Sequence, residues 1–439
     1  MDLAILAITA LLGLYMAWNI GANDVANSMA PAVGSNAITL KRAIILASIC
    51  EFAGAVLVGG HVTDTVRKGI VDPNFIASIQ GMQEGDAATL FVIGMSSALL
   101  AAALWLNIST WTGMPVSTTH SIVGAVAGFG IAAAGLDAVN WGKMGQIVAS
   151  WFISPVAGGI LGFIFFKLIV VTILGREKPT RAAIKVTPYI VFFLVMVVTL
   201  ATVYKGLKHL IKGLDWLTDT NTLLLALTLS LIAAVVSQII IRRYLQDKDT
   251  LPLAQQLESV EEVFSPLVVI SSCTVAFAHG SNDVANAIGP LAAVADIMQS
   301  GTVQMQVVVP TWILMLGGIG LVLGLVTFGH RVLETVGTKL TEITPSRGVA
   351  AGVAATFTVL VCTRMKLPVS TTHTLVGAVI GIGLARGLGG IDRGVAKKIF
   401  TSWIITVPAA AVLSIMLFIG GRAFLFDIIK PLILANSGG

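Results

Sequence analysis

The sequence predicts an all-α polytopic membrane protein of about twelve transmembrane helices, built as two related halves of opposite orientation. Three observations carry this prediction: the scarcity of charge, the length of the apolar runs, and two motifs that each occur twice in the same order.

Of the 439 residues, 56% are hydrophobic and only 11% are charged, and the mean hydropathy is +0.92. A soluble globular chain carries about 25% charged residues. So large a deficit makes lipid the solvent for most of the surface. Within a bilayer the backbone must satisfy its own hydrogen bonds, which leaves helices or a closed barrel. Barrel strands read as short alternating segments, whereas runs such as Leu223–Ile241 and Pro188–Thr202 are long and continuous.

At about 20 apolar residues per crossing, helices are expected near 3–30, 42–60, 89–107, 114–135, 145–173, 188–205, 221–241, 266–291, 306–329, 347–363, 368–388 and 399–425. The segments beginning at Met114 and Leu367 are Gly-rich with a proline at their start, and are expected as re-entrant hairpins or broken helices. The apolar N-terminus has an acidic Asp2 and no basic region, so it reads as a retained helix rather than a signal peptide.

The formal net charge of +5 sits in the loops, which argues for the positive-inside bias and against nucleic-acid binding. Arg176, Lys178, Arg181 and Lys185 stand against one acid, Glu177. With Lys41, Arg42, Arg242, Arg243, Arg393, Lys397 and Lys398 they fall on one side if both termini lie outside. Lys205, Lys208 and Lys212 are the exception, partly offset by Asp215 and Asp219. A multi-pass protein of the cell inner or plasma membrane is expected. Cys50, Cys273 and Cys362 lie in apolar segments without paired spacing and read as small hydrophobes.

Internal repetition is plain. GANDVANSMAP at Gly21–Pro31 recurs as GSNDVANAIGP at Gly280–Pro290, and MPVSTTHSIVGAVAG from Met114 recurs as LPVSTTHTLVGAVIG from Leu367. Weaker echoes follow in order, around His61 and His330 and at Ser150-Trp151 and Ser402-Trp403. The helix count makes the two NDVAN helices antiparallel, the inverted arrangement that places polar, discontinuous segments at the midplane of secondary transporters. The first half spans 1–180 and the second 263–439. Residues 181–262 supply two connecting helices and a short polar loop, Thr250–Glu262.

Asn23, Asp24 and Asn27 share about a 100° arc of a helix, as do Asn282, Asp283 and Asn286. An aspartate in the membrane interior is costly and marks function. One carboxylate with two amide carbonyls suits a hard cation such as Na⁺. Pro31 and Pro290 withhold the hydrogen bond from the carbonyls of Asn27 and Asn286, so each motif is expected to end in a freed backbone oxygen. The alternative is polar glue between helices, which does not account for a second copy with the same proline.

Ser117, Thr118 and Thr119 follow Pro115, and Ser370, Thr371 and Thr372 follow Pro368. Three successive hydroxyls do not share one helix face. They suit an anion at a helix N-terminus, where backbone N–H groups are free and Ser or Thr is a preferred cap. With no Lys or Arg inside either motif, the compensating charge would come from co-transported cations, a reciprocal coupling. The alternative is a capped, kinked helix whose hydroxyls bond their own backbone. His120 and His373 read as residues that hold a hydroxyl or the backbone, with proton carriage conceivable. Glu51 has no carboxylate counterpart in the other half and is a weaker candidate for a cation site.

The paired NDVAN and PVSTTH segments resemble the signatures of the inorganic phosphate transporter (PiT) family over essentially the whole chain. The resemblance implies twelve crossings, both termini outside, and symport of inorganic phosphate with Na⁺ by alternating access, or with H⁺ in some bacterial members; some relatives carry sulfate. The ligands expected are therefore inorganic phosphate and Na⁺ or H⁺ within a lipid bilayer, with no other cofactor, and the oligomer to test for is a homodimer. Family members often carry a large central domain, whereas only Thr250–Glu262 fills that place here. An intramembrane enzyme is disfavoured, since Ser117 and His120 lack a nucleophile elbow and NDVAN lacks the ligands of a metal hydrolase.

Overall fold

The computed structural model describes residues 2–59, 70–71, 84–203, 218–300, 307, 309–365, 369–387 and 390–429. In chain order the helices are α1 (Asp2–Gly34), α2 (Leu40–Val58), α3 (Glu84–Trp111), α4 (Thr118–Ala134), α5 (Trp141–Ile169), α6 (Pro179–Thr202) and α7 (Asp219–Leu245). They continue as α8 (Leu253–Asp283), α9 (Ala285–Ser300), α10 (Thr311–Glu334), α11 (Pro345–Arg364), α12 (Thr371–Ala385) and α13 (Arg393–Ala423). The β contact among the described residues is an isolated antiparallel bridge between Val71 and Val139. Nine described helical stretches are long and apolar enough to cross a membrane. Their exposed flanks are studded with large apolar residues such as Phe152, Ile160, Ile232 and Ile404, as a lipid-facing surface requires.

Four of the expected segments are joined in pairs. Helix α3 runs beside α1 in the same direction, with Thr9 Oγ1 3.2 Å from Ser96 Oγ and Asn107 donating to Asn19 Oδ1 at 3.2 Å. It stops at Trp111, level with Asn23, about two-thirds of the way along α1. Gly113 (φ +69°) turns the chain, a conformation glycine reaches without steric cost. Met114–Ser117 then runs without helical structure and α4 returns along α3, setting Phe129 edge-on to Phe91 at 5.9 Å. Helices α11 and α12 form the matching hairpin. Of the link between them, 366–368 (including Pro368) lie outside the described residues. The two tips meet side by side, His120 and His373 having ring centroids 4.8 Å apart. The hairpin reading of the PVSTTH segments thus holds.

The hairpins enter from opposite faces. Gly348, near the base of the second, packs on Pro31 at the C-terminal end of α1, whereas the first runs along the N-terminal end. Helix α1 is antiparallel to α8–α9: Gly13 packs on Leu291, and Gly348 joins Pro31 to Val268. The returning arm of each hairpin lies along the last long helix of the other half, α4 on α13 and α12 on α5. These crossings depend on missing side chains. A methyl group at Gly124 or Gly128 would overlap the carbonyls of Val407 or Ala411, and one at Gly377 or Gly381 those of Pro155 or Gly159. Small residues that let backbones approach are the main source of helix association in lipid.

Helix ends extend past the apolar runs. Pro179 starts α6 in what reads as a basic loop, since proline is pre-organised for the first helical position. Leu253–Glu262 is likewise the first turns of α8 rather than a loop, because Leu, Gln, Glu and Ala are good helix formers. Its Glu261 caps α11, accepting from Ser346 N and Ser346 Oγ at 2.7 Å each. His61 and Lys205, Lys208, Lys212 and Asp215 lie outside the described residues.

Candidate functional site

The two NDVAN motifs and the two hairpin tips meet at one level, and they meet crosswise. In the first half, Asn27 donates from Nδ2 to Asp24 Oδ1 and to Thr372 Oγ1, both at 2.8 Å. Thr372, from the other half's hairpin, donates to Asp24 Oδ1 at 3.2 Å. In the second half, Asn286 donates to Asp283 Oδ1 at 3.3 Å, Thr118 Oγ1 at 3.3 Å and Thr119 Oγ1 at 3.1 Å. Thr119, from the first half's hairpin, donates to Asp283 Oδ1 at 3.4 Å. Thr371 adds a bond to Asp283 Oδ2 at 3.3 Å. Each carboxylate therefore accepts from a threonine of the opposite repeat, and Asp283 also from Thr371 of its own.

Between the carboxylates stands a residue that the motif reading missed. His279 Nε2 lies 3.2 Å from Asp24 Oδ2 and 3.1 Å from Asp283 Oδ2, and its Nδ1 lies 3.3 Å from Glu51 Oε1. All four groups are buried. Ligand atoms of Asp24, His279 and Asp283 lie within 4.8 Å of one another. Three buried carboxylates around one imidazole concentrate negative charge where nothing but cations or further donors can offset it. The sequence signal was present, an apolar helix carrying His four residues before Asp283, but histidine's many structural roles made it uninformative by itself.

The remaining candidates separate by what their polar atoms do. Asn23 is fully buried, with both ends of its amide spent on the first hairpin tip. Its Nδ2 donates to Thr110 Oγ1 (3.0 Å) and Met114 O (3.1 Å), and its Oδ1 accepts from Val116 N (3.1 Å). Asn282 is half-buried and donates to Asp283 Oδ1 at 3.1 Å. Asn27 Oδ1 is a buried acceptor with no partner among the described residues. It lines a small cavity of about 30 Å³ with His279, Thr356 and Thr371, enough room for a water-sized occupant.

Ser117 and Ser370 are N-caps, accepting from His120 N and His373 N at 3.3 Å. A hydroxyl that accepts there can still donate. The hydroxyls of Thr119 and Thr371 are half-buried, whereas Thr118 and Thr372 are buried. His120 and His373 sit behind the tips against Trp151 and Trp403, at ring-centroid distances of 5.3 and 3.8 Å. Trp403 also donates to Pro115 O at 3.0 Å, tying α13 to the first tip. The proline expectation needs revision. Helix α1 is continuous through Pro31, and the second motif is interrupted at Val284, six residues before Pro290. Gly21 packs on Leu321 of α10, and Gly34 on Gly337 just past its end.

The site joins acid and amide oxygens to hydroxyl donors at the ends of two opposed hairpins. Residues 20–414 match the model of the phosphate transporter family. A Pyrococcus abyssi protein named as a phosphate permease is 44% identical, over 94% of this chain and 97% of that protein. The chloroplastic inorganic phosphate transporter 2-1 of Arabidopsis thaliana is 40% identical, over 93% of this chain and 70% of that protein. A solved structure described as the sodium-dependent phosphate transporter is 40% identical with a TM-score of 0.81, covering 94% of this chain and 98% of that one.

Proposed function

Because this chain belongs to the phosphate transporter family, we propose that it moves inorganic phosphate together with Na⁺ by alternating access. It is a membrane transporter and not an enzyme. One observation carries the Na⁺ reading: two carboxylates from antiparallel helices converge at the level where both hairpins end. A carboxylate site of hard oxygen donors favours a hard cation over a transition metal. Asp24, Asp283 and the unpartnered Asn27 Oδ1 are the ligands assigned to Na⁺, with Asn286 and Asn282 beside them. Asn23 supports them by holding the hairpin tip.

Phosphate is assigned to the tip hydroxyls Ser117, Thr118 and Thr119 with Ser370, Thr371 and Thr372, and to the N-termini of α4 and α12. Thr119 and Thr371 are the half-buried members and its first contacts. An oxyanion next to carboxylates is repelled, and Na⁺ between them converts repulsion into attraction. The two ligands thus tighten each other's binding. Two hairpins entering from opposite faces supply the two gates. The face bearing Arg42, Arg176 and Lys397 is proposed as cytoplasmic, which leaves both ends of the chain outside.

Reconstituted liposomes test this. Labelled phosphate uptake should require an inward Na⁺ gradient, and Na⁺ and phosphate titrations of the purified protein should each tighten the other. Uptake in Na⁺-free buffer driven by a proton gradient would replace Na⁺ with H⁺. Competition by sulfate at low concentration would overturn phosphate selectivity.

A further inference from the structure

A groove of about 520 Å³ opens on the lipid-facing side between α5, α12 and α13. Its walls are apolar, among them Trp151 and Phe163 from α5, Leu384 from α12, and Phe400 and Ile404 from α13. The groove exists because its floor is glycine: Gly159, Gly377 and Gly381 bring the helix backbones together and leave no side chain to fill the space. Its deep end is closed by Trp151 and Trp403, the rings stacked behind the hairpin tips. Its shallow end reaches Ile164 on α5. Trp151 to Ile164 covers about 20 Å at the helical rise, against roughly 15 Å for half of a bilayer's hydrocarbon core. The groove therefore spans one leaflet.

Charge marks the shallow end. On α13, Arg393, Lys397, Phe400 and Ile404 follow one another at i, i+4, i+7 and i+11, a single stripe of the helix. On α5, Ile160, Ile164 and Lys167 do the same at i, i+4 and i+7. A lysine thus stands on each wall where the groove meets the headgroup level. Ion pairs on this face join Lys178 and Arg181 to Asp249, and Arg347 and Arg386 to Glu342. Lys167, Arg393 and Lys397 are exposed and have no carboxylate partner among the described residues.

The other half supplies a control. Aligning Ser150-Trp151 with Ser402-Trp403 puts Trp141, Gly145 and Ile419 where the groove has Arg393, Lys397 and Lys167. Lys143 lies near but off that stripe. The basic mouth is therefore peculiar to one face and is not a by-product of the repeat.

We propose that this groove holds one acyl chain of an anionic phospholipid whose headgroup phosphate rests on Lys167 and Lys397. The chain then lies against α12, the returning arm of the second hairpin, and braces it from the lipid side. The proposal does not depend on which ion the central site takes.

Native mass spectrometry of the full-length protein, released from nanodiscs of four parts phosphatidylcholine to one part phosphatidylglycerol, tests it. Phosphatidylglycerol should be retained over phosphatidylcholine by about thirtyfold after correction for abundance, the scale of two lysines at an anionic surface. Lys167→Ala with Lys397→Ala should abolish that preference, and Ile404→Trp should lower retention of both lipids by filling the groove. Equal retention of the two lipids by the unaltered protein overturns the proposal, and so does an unchanged preference in the double variant. Cross-linking of two copies through Ile404→Cys would give the groove to a second chain and overturn it as well. The headgroup comparison needs no variant, so misfolding of one leaves the test decisive.

Discussion

The two NDVAN motifs are nearly identical in sequence and are placed in different surroundings. Around Asp24 everything is sealed: Asn23 is locked to a hairpin tip, Thr372 is buried, and the helix is unbroken. Around Asp283 the helix is interrupted at Val284, and Asn282, Thr119 and Thr371 are half-buried. The second site also has His279 and Glu51. The equivalent positions around the first motif are Ile20, one residue before Gly21 as His279 is before Gly280, and Leu321 of the second half, on whose backbone Gly21 packs as Gly280 packs on Glu51 of the first. The motif residues are thus the same in both copies, while a buried polar pair, His279 with Glu51, adjoins the second where Ile20 and Leu321 adjoin the first. Two equal sites would bind two equal ions; unequal ones can order the events of a transport cycle.

The largest expected effect comes from the carboxylates. Asp24→Asn and Asp283→Asn should each lower Na⁺-stimulated uptake about a hundredfold, near 3 kcal/mol. Both should weaken the phosphate dependence through the coupling, Asp283→Asn more strongly, because the half-buried Thr119 and Thr371 bond its two oxygens. Unaltered uptake in both variants would remove the cation assignment.

The polar pair is tested next by installing the residues that adjoin the first motif. Glu51→Leu and His279→Ile should each destabilise the protein, since either leaves the other member buried with fewer partners. The double variant should be milder than the sum, by a coupling of about 1–3 kcal/mol in thermal unfolding. Additive losses would mean that the pair is not a unit.

Asn23→Ala orphans Val116 N–H at a cost of about 1–3 kcal/mol. Phosphate KM should rise roughly tenfold by the same conversion, while Asn282→Ala should change it less. A reversed order would show that Asn23 is itself a ligand. Smallest is the hydroxyl comparison. Thr119→Ala and Thr372→Ala each delete bonds worth about 1 kcal/mol, and the half-buried Thr119 should affect phosphate affinity more. Equal effects would place phosphate evenly between the tips.

Most of the helices were legible because lipid enforces long apolar runs, and the repeat was legible because its motifs are short and specific. Their ends were not: Pro179 and Leu253 begin helices within polar stretches, where hydropathy is silent and propensity decides. The hairpins were legible as one of two options, from glycine and proline at Met114 and Leu367. Choosing between them needed Asn23, whose bonds to Thr110 and Val116 hold the first hairpin's tip against α1. His279 was invisible for a different reason. Its meaning comes from Asp24, 255 residues away in sequence, and no local pattern encodes that contact. The crosswise pairing of Thr372 with Asp24 was hidden in the same way, since a repeat suggests that each copy serves itself.

That crosswise pairing has a consequence for how the protein can have arisen and how it can be taken apart. A half that carries its own motifs lacks part of its site, because each carboxylate also takes a threonine from the other half. The unit that was copied is smaller than the unit that works. Two separately expressed pieces, divided near residue 250, should each be inert and should regain uptake only on assembling. A change at Thr372 is then corrected, if anywhere, at Asp24 or Asn27 in the opposite piece, so the two copies are bound to evolve as partners rather than as spares.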